Sequence, residues 1–269
     1  MRFRAVVPAA LAFFIAACTT TTRPGVSGVE REQFMLISAS EAEQIGTLTF
    51  FAQNEKAEAE GRLITEGDDW MRLNKIAHRL TQKTRIFRHD AVRWKWRVAL
   101  IDSPELNATC RPGGKITFYT GIIKRLNLSD DEIAAVMGHE IAHALREHTR
   151  ERLSRDRAQK LITMAVAGSG KLKEDDIKQA NELARYLVAL PHSREAETEA
   201  DKIGLELAAR AGYDPRAAIR FWQKMARATR GNNPPEFEST HPSHATRIAE
   251  LTALLPEVLP LYEVFSKTK

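Results

Sequence analysis

Apolar residues recur at helical spacing along most of this chain. Trp70, Leu73, Ile76, Ala77 and Leu80 share one face of a 3.6-residue repeat, and residues 39–59 and 67–87 both read as helices. The period then changes. Trp94, Trp96, Val98 and Leu100 alternate with Lys95 and Arg97, which is the two-residue repeat of a strand. Pro112-Gly113-Gly114 predicts a turn, and residues 116–120 predict a second strand. After residue 120 almost every segment returns to helical spacing. It is interrupted at Gly168-Ser169-Gly170, at Pro191 and at Gly212, and a loop runs from Asn232 to about Ser243. A small sheet followed by many helices is an α+β pattern, and no internal repeat is evident.

The 269 residues are 43% hydrophobic and 28% charged, which allows a full core. A single domain over residues 31–269 is expected. Net charge is +5, from 40 Lys and Arg against 35 Asp and Glu. Without Arg2 and Arg4 the balance is 38 against 35, or +3, which is too mild for a nucleic-acid partner. Those two arginines belong to residues 1–17, which read as a signal peptide. Their apolar stretch, AVVPAALAFFIAA, is too short to span a bilayer as a mature helix. Ile15-Ala16-Ala17-Cys18 resembles the bacterial lipobox, so Cys18 is the expected lipidation site. Residues 18–30 then form a lipid-anchored tether. Thr19, by resemblance to sorted lipoproteins, implies the outer membrane and its periplasmic face. With Cys18 lipidated, Cys110 has no disulfide partner. It reads as a buried inert thiol, an oxidation-sensitive thiol being the alternative.

The richest chemistry lies in VMGHEIAHALREH, residues 136–148. Ser129-Asp130-Asp131-Glu132 matches a capping box, so a helix should begin near residue 130. His139 and His143 are one turn apart, about 40° around the helix axis, so their imidazoles project side by side. Two nitrogens so placed can meet one ion at about 2 Å each. Glu140 is poorly placed as a third ligand and well placed to take a proton from water at that ion. A metzincin would put its third histidine where Thr149 stands. His148 therefore reads as a solvent-facing residue near the helix end. The third ligand must come from elsewhere, and SREAETEADKIG, residues 193–204, offers Glu195, Glu197, Glu199 and Asp201. Glu197 and Asp201 share one helical face, Glu195 and Glu199 another. Spacing alone does not choose between the pairs, although a solvated acidic face suits Glu195 and Glu199 better.

The two segments together resemble the zincin metallopeptidases that include the CAAX prenyl endopeptidase and HtpX. Within them, the soluble periplasmic lipoprotein branch of BepA and LoiP is the more similar. The resemblance implies a mostly helical, gluzincin-type α+β domain with a small β-sheet beside the active-site helix. It selects Glu197 as ligand and Asp201 as the group that braces a ligand histidine. It also implies one Zn2+ per chain, and an edge strand over Asn107, Ala108, Thr109, Cys110 and Arg111 that pairs with substrate. Thr240-His241-Pro242-Ser243 resembles a late motif of the family, which makes His241 the candidate supplementary catalytic group, a loop histidine at a helix N-terminus being the alternative. Thr109-Cys110-Arg111 departs from the usual apolar residues of that strand. The implied function is a zinc metalloendopeptidase acting on misfolded or misassembled envelope proteins, with outer-membrane assembly machinery as a further partner. A second reading is a zinc-stabilised chaperone or scaffold for outer-membrane protein assembly, with little proteolysis.

Overall fold

The computed structural model describes residues 18–168, 194–228, 241 and 245–268. Residues 1–17, expected as a signal peptide, the Gly168-Ser169-Gly170 break beyond its first residue, Pro191 and the expected 232–240 loop lie outside them. Ser243, a candidate helix cap, lies outside them as well.

The chain opens with β1 (Cys18–Thr19) paired antiparallel to β2 (Gln33–Phe34). Residues 18–30, expected as a loose tether, lie against the domain instead. Thr22, Ser27 and Val29 are buried, and the Ser27 amide donates to Glu206 Oε2 at 2.9 Å. Helix α1 (Ala39–Ala59) begins where the Ser38 side chain accepts from the Glu41 amide, within the range expected from the sequence. After β3 (Leu63–Ile64), α2 (Asp68–Thr81) is shorter than its apolar pattern implied. The Thr84 hydroxyl donates to the Thr81 carbonyl, and the chain continues in short 3-10 turns.

Strands β4 (Arg97–Ile101), β5 (Ala108–Arg111) and β6 (Lys115–Tyr119) complete a four-stranded sheet of order β3-β4-β6-β5. β4 and β6 run parallel, and the other pairings are antiparallel. The strand expected from Trp94 begins three residues later. Trp94 and Trp96 close a 3-10 turn, the Trp96 indole donating to the Ala91 carbonyl at 2.9 Å. The Trp96 ring then lies over Gly114, where a Cβ would come within 2.6 Å of it. Gly113 and Gly114 both adopt φ +77°, so the β5–β6 turn needs glycine for its backbone as well. β5 is an edge strand, as expected.

The helices follow: α3 (Thr120–Arg125), α4 (Asp130–Leu145), α5 (His148–Gly168), α6 (Arg194–Arg210), α7 (Arg216–Ala228) and α8 (Ala245–Phe265). The capping box at Ser129 and Glu132 is formed in full. α4 is not a surface helix with one apolar face. Every residue from Glu132 to Leu145 is buried, because α2, α6, α7 and β5 all pack on it. α4 and α6 cross at Gly138 and Gly204, where a Cβ on Gly204 would stand 2.6 Å from the His139 amide nitrogen. Among the described residues, no helix is long and apolar enough to cross a membrane.

Candidate metal centre

Backbone contact at the two glycines fixes how the side chains meet. α4 presents His139 and His143 to the crossing, and α6 presents Glu197 one turn before Asp201. His139 Nε2 and His143 Nε2 are 3.0 Å apart. Glu197 places Oε2 at 3.4 Å from the first and Oε1 at 3.4 Å from the second. His241 closes the group, with Nδ1 at 2.9 Å from Glu197 Oε1 and 3.3 Å from His139 Nε2. All four side chains are buried.

The donor set fits a small divalent cation. A tetrahedron with corners about 2.0–2.1 Å from its centre has edges of about 3.3–3.4 Å, close to the separations here. The proton count agrees. His139 Nδ1 faces Asp201 Oδ1 at 3.0 Å, and a carboxylate only accepts, so this nitrogen donates and leaves Nε2 bare. Bare nitrogens and a carboxylate facing each other need positive charge between them. In the metal-free protein a proton on Nε2 supplies that charge: burial lowers the His139 pKa, but the bonds to Asp201 and Glu197 outweigh it and raise the pKa to about 9, and a cation would take that proton's place. Burial pushes Glu197 up, yet His139 and His241 hold its carboxyl well below the usual range.

Asp201 is fixed from behind by Arg247 on α8, which donates to both of its oxygens at 2.6 Å and to Glu197 Oε2 at 3.0 Å. The guanidinium lies 4.0 Å from the centre of the Trp222 ring. Burial opposes the Arg247 charge, but Asp201 and Glu197 hold its pKa up. Nothing in the sequence pairs Arg247 with residues nearly fifty positions upstream, and sequence reading misses it.

Glu140 lines a cleft of about 420 Å³ together with His143 and His241, and its other walls include Ile45 and Thr49 of α1, β5, and Arg152 of α5. Its Oε2 accepts from the Cys110 amide at 3.1 Å. Among the described residues its Oε1 has no aligned hydrogen-bond partner, although His241 Nε2 lies 3.3 Å away. Burial is the main cause of a raised Glu140 pKa, with His241 and His139 opposing it. Cys110 is buried, and burial raises its thiol pKa strongly. Thr109 and Arg111 lie half-buried on the same strand, while Asn107 is buried and accepts from the Ala108 amide through Oδ1.

Two expectations are overturned. His148 is 2% exposed rather than solvent-facing, with Nδ1 2.8 Å from His143 Nδ1. A continuous helix would have turned it about 140° away from His143. The helix instead stops at Leu145, Glu147 takes φ +53°, and the new helix starts at His148. Glu199 is no solvated acid either. It is buried against Arg31, Arg146 and His148, while Glu195 is exposed as expected.

Two histidines one helical turn apart, a glutamate beside the first and another glutamate from a crossing helix place this protein among the zincin metallopeptidases. The sequence pattern of Peptidase family M48 matches residues 71–255, and the chain belongs to that family, whose metal is zinc. It is 35% identical over 178 residues to the mitochondrial metalloendopeptidase OMA1 of Bos taurus, covering 62% of this chain and 34% of that protein. It is 37% identical over 164 residues to the mitochondrial metalloendopeptidase OMA1 of Schizosaccharomyces pombe, covering 61% and 48%. Similarity to the beta-barrel assembly-enhancing protease of Escherichia coli is lower, 26% over 181 residues, covering 64% and 37%. The aligned region spans about a third to a half of the length of these curated relatives.

Proposed function

We propose that this chain is a zinc-dependent endopeptidase of the bacterial cell envelope, hydrolysing misfolded or misassembled envelope proteins. The observation that carries the peptidase reading is Glu140, buried within 3.3 Å of His241 in the wall of a cleft that His143 and His241 also line. His139, His143 and Glu197 would hold the zinc, with Asp201 bracing His139. Bound there, zinc supplies Lewis acidity that polarises a scissile carbonyl and eases deprotonation of water. Glu140 takes the water's proton and returns it to the departing amine. The Cys110 amide ties that carboxylate to the edge strand, so base and substrate strand are positioned by one backbone. A peptide lying along Asn107 to Arg111 would add a strand to the sheet. His241, with Nδ1 2.9 Å from Glu197 Oε1 and 3.3 Å from His139 Nε2, would supply a fourth donor.

The envelope assignment is supported by the leader-like segment, by the lipobox-like residues before Cys18, and by the E. coli relative. The greater identity to mitochondrial relatives weighs against it. In this reading Cys18 carries the lipid and holds the domain at the periplasmic face of the outer membrane. The name of the E. coli relative keeps an assembly-promoting scaffold in view as the second reading, with the assembly machinery as partner.

One variant separates the two readings. Glu140→Gln should keep stoichiometric zinc and lose cleavage of casein or unfolded porin by about 10²–10⁴-fold. Undiminished, chelator-insensitive cleavage would remove Glu140 from the chemistry. Full assembly-promoting activity in the same variant would favour the scaffold.

A further inference from the structure

The metal-facing histidines of α4 are braced differently, and the brace behind His143 has no place in the reaction described above. We propose that His148 is a positioning residue for zinc: it accepts the Nδ1 proton of His143, and Glu199 holds it in the tautomer that can accept. The proposal rests on reading His143 as a zinc ligand.

Proton directions along this relay follow from its outer end. Glu199 receives Arg31 Nε at 2.6 Å and Arg146 Nε at 2.9 Å. Guanidinium N–H groups can only donate, so Glu199 accepts through both of its oxygens, as a carboxylate does. A carboxylate only accepts, so His148 Nε2, 3.0 Å from Glu199 Oε2, must donate. A neutral imidazole that donates from Nε2 presents a lone pair at Nδ1. That lone pair faces His143 Nδ1 at 2.8 Å, so His143 donates there and keeps Nε2 bare towards Glu197. The chain of custody is Arg31 and Arg146 to Glu199, Glu199 to His148, His148 to His143.

The fold is built to make this contact. Glu147 adopts a backbone conformation that L residues rarely take, and it is held by Arg88 at 3.2 Å and Arg150 at 2.7 Å. That reversal lets two histidines five residues apart face each other. Arg146, fully buried, donates on to the Arg31 carbonyl at 2.9 Å, so the segment before α1 is locked into the relay.

Zinc affinity of the full chain, read by chelator competition, tests the proposal. His148→Asn keeps an acceptor at the place of Nδ1 but loses the bond to Glu199. His148→Gln keeps a donor for Glu199 but lacks that acceptor, and His148→Leu lacks both. Zinc should bind the Asn variant within about threefold of wild type, and the Gln and Leu variants about 10–100-fold more weakly. The cobalt-substituted Gln variant should show a shifted visible spectrum, and the Asn variant a spectrum like wild type. Equal zinc affinities in the Asn and Gln variants would overturn the proposal. If the Leu variant fails to fold, the Asn–Gln pair still decides. Full zinc binding by His143→Ala would show instead that His143 is no ligand, a failure of the underlying reading and not of the relay alone.

Discussion

The two histidines proposed as ligands sit one turn apart on one helix, yet their surroundings share little. His139 meets a carboxylate directly: Asp201 at 3.0 Å, gripped by Arg247 from α8. His143 meets its carboxylate through an intervening imidazole, and the arginines beyond come from the start of the chain and the end of α4. One brace is short and closed by the C-terminal helix, the other long and closed by the N-terminal segment. Helix α6 supplies both carboxylates, Asp201 from one face and Glu199 from another. Both faces of this helix pair are anchored, and opposite ends of the chain do the anchoring.

The largest effect should come from the carboxylate both flanks share. Glu197→Ala should release zinc altogether, measured by elemental analysis. Stoichiometric zinc in that variant would require another acid, and Glu199 is already committed to three basic side chains. Next comes the crossing point that serves both flanks. Gly204→Ala forces a Cβ within 2.6 Å of backbone and should destabilise the fold by about 1–3 kcal/mol while weakening zinc binding. Thermal melting and chelator competition on the same sample would check it.

Smaller effects should separate the flanks. Asp201→Ala removes the direct brace and should cost about 10–100-fold in zinc affinity. Glu199→Gln acts through His148 and should cost less, about tenfold or below. Reversed order would mean the long brace is the stronger. Glu199 also has a pH signature in zinc-stripped protein. Its carboxyl is lowered from 4.5 to about 2, so its ionised form stabilises the fold fully above about pH 4.5. That contribution is lost as pH falls towards 2. Glu199→Gln should therefore melt with a shallower decline across that window than wild type.

Much of the fold was legible because it rests on local signals. Ser38 and Ser129 start helices α1 and α4 through contacts three residues away, and the β5–β6 turn follows from paired glycines, while the edge strand before it came from family resemblance. The misreadings share a cause. The tryptophans at 94 and 96 alternate like a strand, but a turn over Gly114 claims them. Residues 18–30 look like a spacer because their anchor, Glu206, is far away in sequence. His148 and Glu199 looked solvated because one backbone reversal at Glu147 and an arginine at position 31 are invisible to helical periodicity.

By itself the sequence determined the helix that carries His139, Glu140 and His143, because capping and a four-residue repeat act within single turns. Family resemblance added Glu197 and Asp201. Only the tertiary structure decided how those acids are held. Arg247, Arg31 and His148 reach them through space, across separations at which neither propensity nor spacing carries information, and a buried carboxylate is stable only where such partners arrive.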